Sequence, residues 1–181
     1  MSSFVKNDRF PPIKLSTSND VSSDERITAI DFVNRHNYVF EEFNPDDMLS
    51  TFLPNGVVYH SHGTVRGHAE MREFLENHYA FFIHGISRSA TNHVVDRDEE
   101  GVMVRYHECL IRYGWADDDA KILAGHDVIR NDGLPAIWWS GPMIDRLRMT
   151  DDGWKIFERY LGAPVRNGNL DPLSEDTVIK R

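Results

Sequence analysis

The chain has 181 residues, 40% of them apolar, and its 20 basic against 29 acidic residues give a formal net charge of −9 at pH 7. One domain of this size buries enough surface to fold without a metal or a disulfide, and the single cysteine, Cys109, has no internal partner. The acidic balance argues against nucleic acid and a membrane surface as partners, and no apolar run approaches the ~20 residues of a transmembrane helix, so a soluble cytoplasmic protein is expected.

Two helices are predicted in the first part of the chain. Residues 1–23 are rich in Ser, Pro, Asn and Asp without an apolar period, which predicts a flexible N-terminal arm. An N-cap at Ser22 or Ser23 opens the first helix, which runs toward Pro45. A short second helix, led by two aspartates, is expected through Phe52.

Strand signals dominate the rest of the chain. The run GVVYHSH (56–62) predicts a strand, and the apolar spacing of residues 67–82 predicts a third helix. Beyond Gly85, β-rich runs such as KILAGHDVIR are separated by the polar turns DRDEEG, ADDDA, NDGLP and DDG. Helices followed by an antiparallel sheet predict an α+β domain over residues 24–162. Residues 163–181 are again Pro-, Asn- and Gly-rich, which predicts a C-terminal arm.

The common cofactor and metal motifs are missing from the sequence. There is no Gly-rich phosphate loop, no cysteine pair, no HExxH and no GxSxG. No cofactor and no metal is therefore expected. Any chemistry must come from His, Tyr, Asp, Glu and Arg side chains.

Two histidines share one face of the first predicted strand. In YHSHG, His60 and His62 lie two residues apart, and strand side chains alternate between faces. Such a pair could bind a metal with a third ligand, could serve in acid–base catalysis or substrate hydrogen bonding, or could be exposed or structural.

The segment GVMVRYHECLIRYGW predicts a long strand with two mixed faces. One face combines apolar and titratable groups without a carboxylate, which is typical of a ligand cavity wall; it carries Met103, Arg105, His107, Cys109, Ile111 and Tyr113. The alternative is that this face is covered by the first helix. Glu41 and Glu42 end that helix, where a solvated pair and a functional carboxylate are both open.

The order of several motifs resembles one family. The ending GPMIDRLRMTDDGWKIFERYL looks like the last hairpin of SnoaL-like proteins of the NTF2-like superfamily. The stretch EEFNPDDMLSTFLPNGVVYHSHGTVRGHAEMREFL is similar to that family's first half, and NHVVDRDEEGVMVRYH resembles the family's next strand-turn-strand unit. The likeness spans roughly Asp24 to Gly162.

This resemblance implies a cone, in which a bent sheet wrapped by helices encloses a mostly apolar pocket. The family includes scytalone dehydratase, polyketide cyclases, ketosteroid isomerase-like enzymes, epoxide hydrolases and non-catalytic binders, so the fold leaves the reaction open. Carried over by position, the acidic residue closing helix one falls on Glu41 and the dehydratase tyrosine of the first strand on His60. One dehydratase histidine falls near Tyr113. The other falls on Arg88, with Asn92 as the turn Asn and His93 as the nearest histidine.

The sequence therefore predicts a cofactor-independent lyase or isomerase that dehydrates, isomerises or cyclises a small apolar oxygenated metabolite, such as a polyketide or terpenoid intermediate. His60 or Glu41 would be the base, while Tyr113 and Arg88 would hold a developing oxyanion. Asp145 would orient a pocket histidine or arginine, or would lie outward. Substrate contacts are expected from His62, His93, His107, Phe40, Phe74, Asn92 and Ile111.

A second hypothesis is a binding or assembly protein whose cone is filled by its own side chains. Trp138, Trp139 and Met143 would then form a partner-facing surface. A homodimer is expected from the resemblance and from the apolar strand IWWSGPMI. An open cavity lined by polar groups would favour the enzyme.

Overall fold

A computed structural model of the chain describes residues 10–17, 19–60, 63–79 and 84–172. The helices are α1 (Ser23–Glu42), α2 (Pro45–Ser50), α3 (Gly67–Phe74), continued by a π-helical turn (Leu75–Tyr79), and α4 (Ala116–Leu123), with a 3-10 turn at Gly168–Leu170. The strands are β1 (Phe52–His60), β2 (Gly63–Arg66), β3 (Ile86–Arg97), β4 (Val102–Arg112), β5 (Ala136–Thr150), β6 (Gly153–Leu161) and β7 (Val165–Arg166). None of the helices in these residues is long and apolar enough to cross a membrane.

Local side-chain bonds set the limits of the first helices. The Ser22 hydroxyl accepts the Glu25 backbone N–H at 3.2 Å while the Glu25 carboxylate accepts the Ser22 N–H, so Ser22 is the N-cap. Asn44 caps α2 and Pro45 occupies its first turn. The helix stops at Ser50 instead of Phe52, because Phe52 already pairs with β6 as the first residue of β1.

The strands form one curved, unclosed sheet. The order is β2-β1-β6-β5-β4-β3, with β7 beside β5. All pairings are antiparallel except that of β1 with β6. Irregularities between Thr91 and Val94 and between Leu110 and Ile111 interrupt the register, and such bulges bend strands. The predicted α+β class with an NTF2-like curved sheet is confirmed.

Helix α1 packs on β3 and β4 through one face. Its buried residues recur at helical spacing and are Ala29, Val33, His36, Asn37 and Phe40. Two of these five are polar, which is unusual for a core face. Both reach the sheet side chains that form the candidate site.

Helix α4 lies where a turn and a strand were predicted. The segment ADDDA places Asp117, Asp118 and Asp119 in the first turn of the helix, where negative charge is favoured by the exposed backbone N–H groups. The Asp118 carboxylate also accepts the Trp115 backbone N–H at 3.0 Å. The aspartates therefore start a helix, and the prediction of a turn was wrong.

Both chain segments expected to be arms make contacts with the sheet. The Pro11 carbonyl accepts from the Arg105 guanidinium at 2.6 Å, and Val21 is buried in the core. At the other end, β7 pairs with β5, and the Leu170 carbonyl accepts from the Arg112 Nε at 2.8 Å. Residues 165–172, named the C-terminal strap below, thus lie against the sheet.

Candidate functional site

A cavity of about 390 Å³ lies between the concave face of the sheet and the helices α1, α2 and α3. Most of its wall is aromatic or aliphatic, and a few convergent polar groups interrupt it, which is typical of a ligand site. The polar and charged lining residues are His60, Arg88, Glu108, Arg159, Arg166 and Asp171. The aromatic ones are Phe40, Phe52, Phe74, Tyr79, Trp138 and Trp139.

The face of β4 that meets the cavity is the opposite of the predicted one. Glu108 and Leu110 line the cavity and Tyr106 is buried beside them. His107 is exposed, and Ile111 is half-buried outside the lining. The predicted cavity wall was therefore wrong for this strand, because α1 packs on the face that carries Tyr106 and Glu108.

Glu108 is a buried carboxyl whose hydrogen bonds to other described residues are long. Its side chain is 1% exposed. One oxygen accepts from the Asn37 amide at 3.3 Å and the other from the Arg88 guanidinium at 3.4 Å. Burial raises the pKa of Glu108, and the charge of Arg88 partly opposes that shift. The surroundings of Glu108 therefore favour the protonated carboxyl more than water does.

Arg88 brings a cation to the same wall from β3. Its guanidinium lies 5.3 Å from the ring centre of Phe40 and 5.5 Å from that of Tyr79. The Nε atom is buried and has no hydrogen-bond partner among the described residues. Burial lowers the pKa of this guanidinium, yet an arginine stays charged in proteins.

In a second guanidinium, that of Arg159 on β6, each of the three nitrogens has a partner. Asp145 accepts from its Nε and Nη2 atoms, each at 2.6 Å. The Tyr106 hydroxyl donates to Asp145 at 2.9 Å and accepts from Arg159 at 3.3 Å. Asp145 is completely buried and orients Arg159. Of the two alternatives that the sequence left open for Asp145, an orienting role in the pocket and an outward position, the structure has the first.

His36 completes this cluster from α1. Its Nε2 atom contacts the Arg159 Nη1, and its Nδ1 lies 3.0 Å from the Thr51 hydroxyl. A guanidinium can only donate, so Nε2 must carry the lone pair and Nδ1 the proton. Burial and the charge of Arg159 hold the pKa of His36 well below its usual range, in agreement with a neutral ring.

Other predicted residues lie at the cavity as expected. His60 lines it, with its ring centre 6.5 Å from that of Phe74, and Phe40 and Phe74 also form part of the wall. His62 lies outside the described residues.

Glu41 and Tyr113, predicted to face the cavity together, are both outside its lining. A Glu41 carboxylate oxygen accepts the Arg88 backbone N–H. The Tyr113 hydroxyl donates to Asp119 in α4, and burial together with that carboxylate raises the pKa of Tyr113. The two residues are nevertheless near enough for the charge of Glu41 to raise the pKa of Tyr113 as well. They lie outside the cavity lining, because the strand β4 ends at Arg112 and its alternation does not continue to Tyr113.

Asn92 and His93 occupy the irregular part of β3. Asn92 is exposed, with a left-handed backbone at φ 56°, a conformation that Asn tolerates better than most residues. His93 stacks on Tyr106 with a ring-centre distance of 5.7 Å. Neither residue belongs to the cavity lining. The bulge therefore separates both from the positions that simple alternation predicts.

The residues assigned to a partner surface in the second hypothesis line the cavity instead. Trp138, Trp139 and Met143 all contribute to its wall. The C-terminal strap closes the cavity beside Trp138, whose indole N–H donates to Asp171 at 2.7 Å. The predicted homodimer stays a prediction, and one of its arguments is lost because Trp138 is buried.

Sequence reasoning missed Glu108 and Arg159 as site residues. The signal for both was present: a carboxylate and an arginine each stand at an inward position among apolar residues, in VRYHECL and KIFERYL. Charged residues at such positions are rarely buried without a partner. No group of three or more possible metal ligands occurs in the described part of the chain.

Three structures with the same fold illustrate the comparison. One is a protein of unknown function from Mycobacterium tuberculosis, with 17% identity, a TM-score of 0.61 and coverage of 88% of this chain and 87% of that one. An NTF2-like protein with a cystatin-like fold from Novosphingobium aromaticivorans has 13% identity, a TM-score of 0.58 and coverage of 76% and 80%. A proposed scytalone dehydratase from the same organism has 18% identity, a TM-score of 0.59 and coverage of 83% and 92%.

The sequence itself identifies the family. Comparison with curated proteins gives no match. The model of the SnoaL-like domain, in contrast, matches residues 22–160, which include the three helices over the cavity and the sheet as far as β6. The chain therefore belongs to the SnoaL-like domain family.

Proposed function

We propose that this protein is a cofactor-independent lyase or isomerase, which dehydrates, isomerises or cyclises a small, largely apolar oxygenated metabolite such as a polyketide or terpenoid intermediate. The observation that carries the proposal is Glu108, a carboxyl with a raised pKa in the cavity wall, beside the guanidinium of Arg88. Membership of the SnoaL-like family supports it.

Each polar group has a place in such a reaction. Ionised Glu108 removes a proton from the carbon next to a substrate carbonyl, and Arg88 stabilises the negative charge that develops on the oxygen. In a dehydration, protonated His60 gives its proton to the leaving hydroxyl, which departs as water. In an isomerisation, Glu108 returns its own proton to another carbon. Glu108 thus replaces Glu41 as the proposed base, and Arg88 acts without Tyr113.

Proton transfer can be tested before the natural substrate is identified. The probe is 2-tetralone, an apolar bicyclic ketone, and the measurement is exchange of its α-hydrogens in D₂O by NMR. We expect the wild-type protein to accelerate exchange and Glu108→Gln to slow it about 10²- to 10⁴-fold, because the amide cannot accept the proton. His60→Ala should retain this exchange, because no hydroxyl group leaves in it. The same variant should lose turnover of the natural substrate.

The matched control is Glu42→Gln, which makes the same change at an exposed carboxyl outside the cavity. Its exchange rate should equal that of the wild type. Exchange by Glu108→Gln at the wild-type rate would remove Glu108 from the mechanism. A wild-type protein that binds 2-tetralone without accelerating exchange would favour a binding protein instead.

A further inference from the structure

Arg88 is a buried cation with too few partners. A guanidinium has five N–H donors. Among the described residues, that of Arg88 makes one hydrogen bond, to Glu108 at 3.4 Å, and its buried Nε makes none. The side chain is 10% exposed and contributes to the lining of the cavity. The aromatic faces of Phe40 and Tyr79 attract the charge but accept no strong hydrogen bond.

Arg159, the other guanidinium deep in the cavity, provides the comparison within the same protein. Its Nε, Nη1 and Nη2 atoms all have partners, and Asp145 neutralises its charge in a bidentate pair. An incoming anion therefore gains little binding energy at Arg159. It gains much more binding energy at Arg88, which donates only to Glu108 among the described residues.

Glu108 is the side chain that such an anion would compete with. Most other charged groups near the pair are committed elsewhere: Asp145 is bound by Arg159 and Tyr106, His36 is neutral, and Glu41 binds the Arg88 backbone N–H. Arg166 and Asp171 of the lining pair with each other, and His60 on β1 is the remaining titratable residue of the lining. A second negative charge next to Arg88 would leave two anions sharing one cation in an apolar cavity. Uptake of a proton by Glu108 removes that repulsion.

We propose that the cavity binds a ligand through a carboxylate placed on the guanidinium of Arg88, and that Glu108 takes up one proton from solvent as this ligand binds. The inference rests on the proposed function, since it uses the same cavity, and it names a class of inhibitors, carboxylic acids with an apolar body, which would occupy Arg88 and leave the proposed base Glu108 protonated. A carboxylate fits because it is planar, singly charged and matched to the guanidinium fork, whereas one free cation does not balance a phosphate dianion.

The test compares 2-naphthoate with 2-naphthamide, which have the same ring system and differ in charge. Isothermal titration calorimetry at pH 8, in phosphate and in Tris, gives affinity and the number of protons taken up. We expect the acid to bind the wild type at least 10-fold more tightly than the amide, with an uptake approaching one proton. Arg88→Met should weaken binding of the acid about 10- to 100-fold and that of the amide less than about threefold.

Two further variants separate the two parts of the proposal. Glu108→Gln should bind the acid more tightly than the wild type does, without proton uptake. Arg88→Lys keeps the charge but not the planar fork, so it should also weaken binding of the acid. It replaces Arg88→Met in the test if that variant does not fold. Equal affinity of the wild type for acid and amide would overturn the carboxylate site. Selective binding of the acid without proton uptake would overturn the role of Glu108.

The outcome is independent of the 2-tetralone experiment. Proton-linked binding of naphthoate by a protein that does not accelerate exchange would support this inference and contradict the proposed function. Exchange that depends on Glu108, in a protein that binds naphthoate and naphthamide equally, would support the proposed function and contradict this inference.

Discussion

A single histidine determines how the cationic side of the cavity is held. His36 reaches from α1 to Arg159 and must be neutral to accept its hydrogen bond. A protonated ring would place two cations in contact inside the core and would lose that bond. The residue thus couples the protonation of one imidazole to the packing of α1 on the sheet.

This coupling predicts a pH dependence of stability. Because the folded-state pKa of His36 lies below its unfolded value of ~6.5, its stabilisation is complete above that pH and is lost as the pH falls below it. In urea titrations from pH 7 to 5, the wild type should lose up to about 1.4 kcal/mol per pH unit relative to His36→Gln, which can still accept and donate without titrating. A difference between the two proteins that stays constant with pH would contradict this.

The contribution of Glu108 to the pH dependence of stability has the opposite sign. Its pKa is raised in the fold, so the protonated carboxyl is favoured there and its stabilisation, present at acid pH, is lost as the pH rises. The pH profile of Glu108→Gln therefore separates the two groups. Both residues are visible in the sequence, yet their titration depends on neighbours 123 and 20 positions away along the chain.

At the scale of elements, the C-terminal strap is a part of the cavity wall that lies beyond the family match. The match ends at residue 160, whereas Arg166, Asp171 and Pro172 line the cavity. Three contacts stabilise the strap. The Asp171 carboxylate accepts from the Trp138 indole N–H and pairs with Arg166 at 3.2 Å. The Asn167 N–H donates to the Trp138 carbonyl at 2.7 Å.

Removing this carboxylate should loosen the strap without unfolding the domain. We expect Asp171→Ala to increase hydrogen exchange of the Asn167 amide about 5- to 10-fold, as the loss of about 1 kcal/mol of hydrogen bonding implies. Exchange of the Val104 amide in the core strand should not change. Asn169→Ala, at an exposed position in the same segment, is the control. An unchanged rate at Asn167 in Asp171→Ala would show that the strap does not depend on Asp171.

At the scale of the whole molecule, the prediction that no metal or organic cofactor is required can be tested directly. The sequence offers neither a nucleotide motif nor a complete set of metal ligands, so the proposed chemistry uses side chains alone. Extensive dialysis against a chelator should leave the exchange of 2-tetralone intact. Activity that is lost on dialysis and restored only by zinc or another divalent ion would contradict the prediction.

Much of the architecture is determined locally and was predictable. The cap at Ser22, the break at Pro45 and the DDG turn before β6 act within a few residues, and hydrophobic periodicity then separates helices from strands. The prediction failed at ADDDA, because three aspartates suit both a polar turn and the first turn of a helix. The choice between the two depends on contacts distant in the chain, because Asp118 pairs with Arg130 and Asp119 accepts from the Tyr113 hydroxyl and the Gly85 N–H.

The residues of the site depended on the tertiary structure. A strand with period two has two faces, and in β4 both faces mix apolar and charged residues, so the sequence determined the alternation but not which face formed the cavity wall. The packing of α1 decided this by placing Asn37 and His36 over Glu108 and Arg159. Burial then decided the chemistry, because the same carboxyl that would be an ordinary solvated acid on the outer face acquires a raised pKa and a cationic neighbour on the inner one.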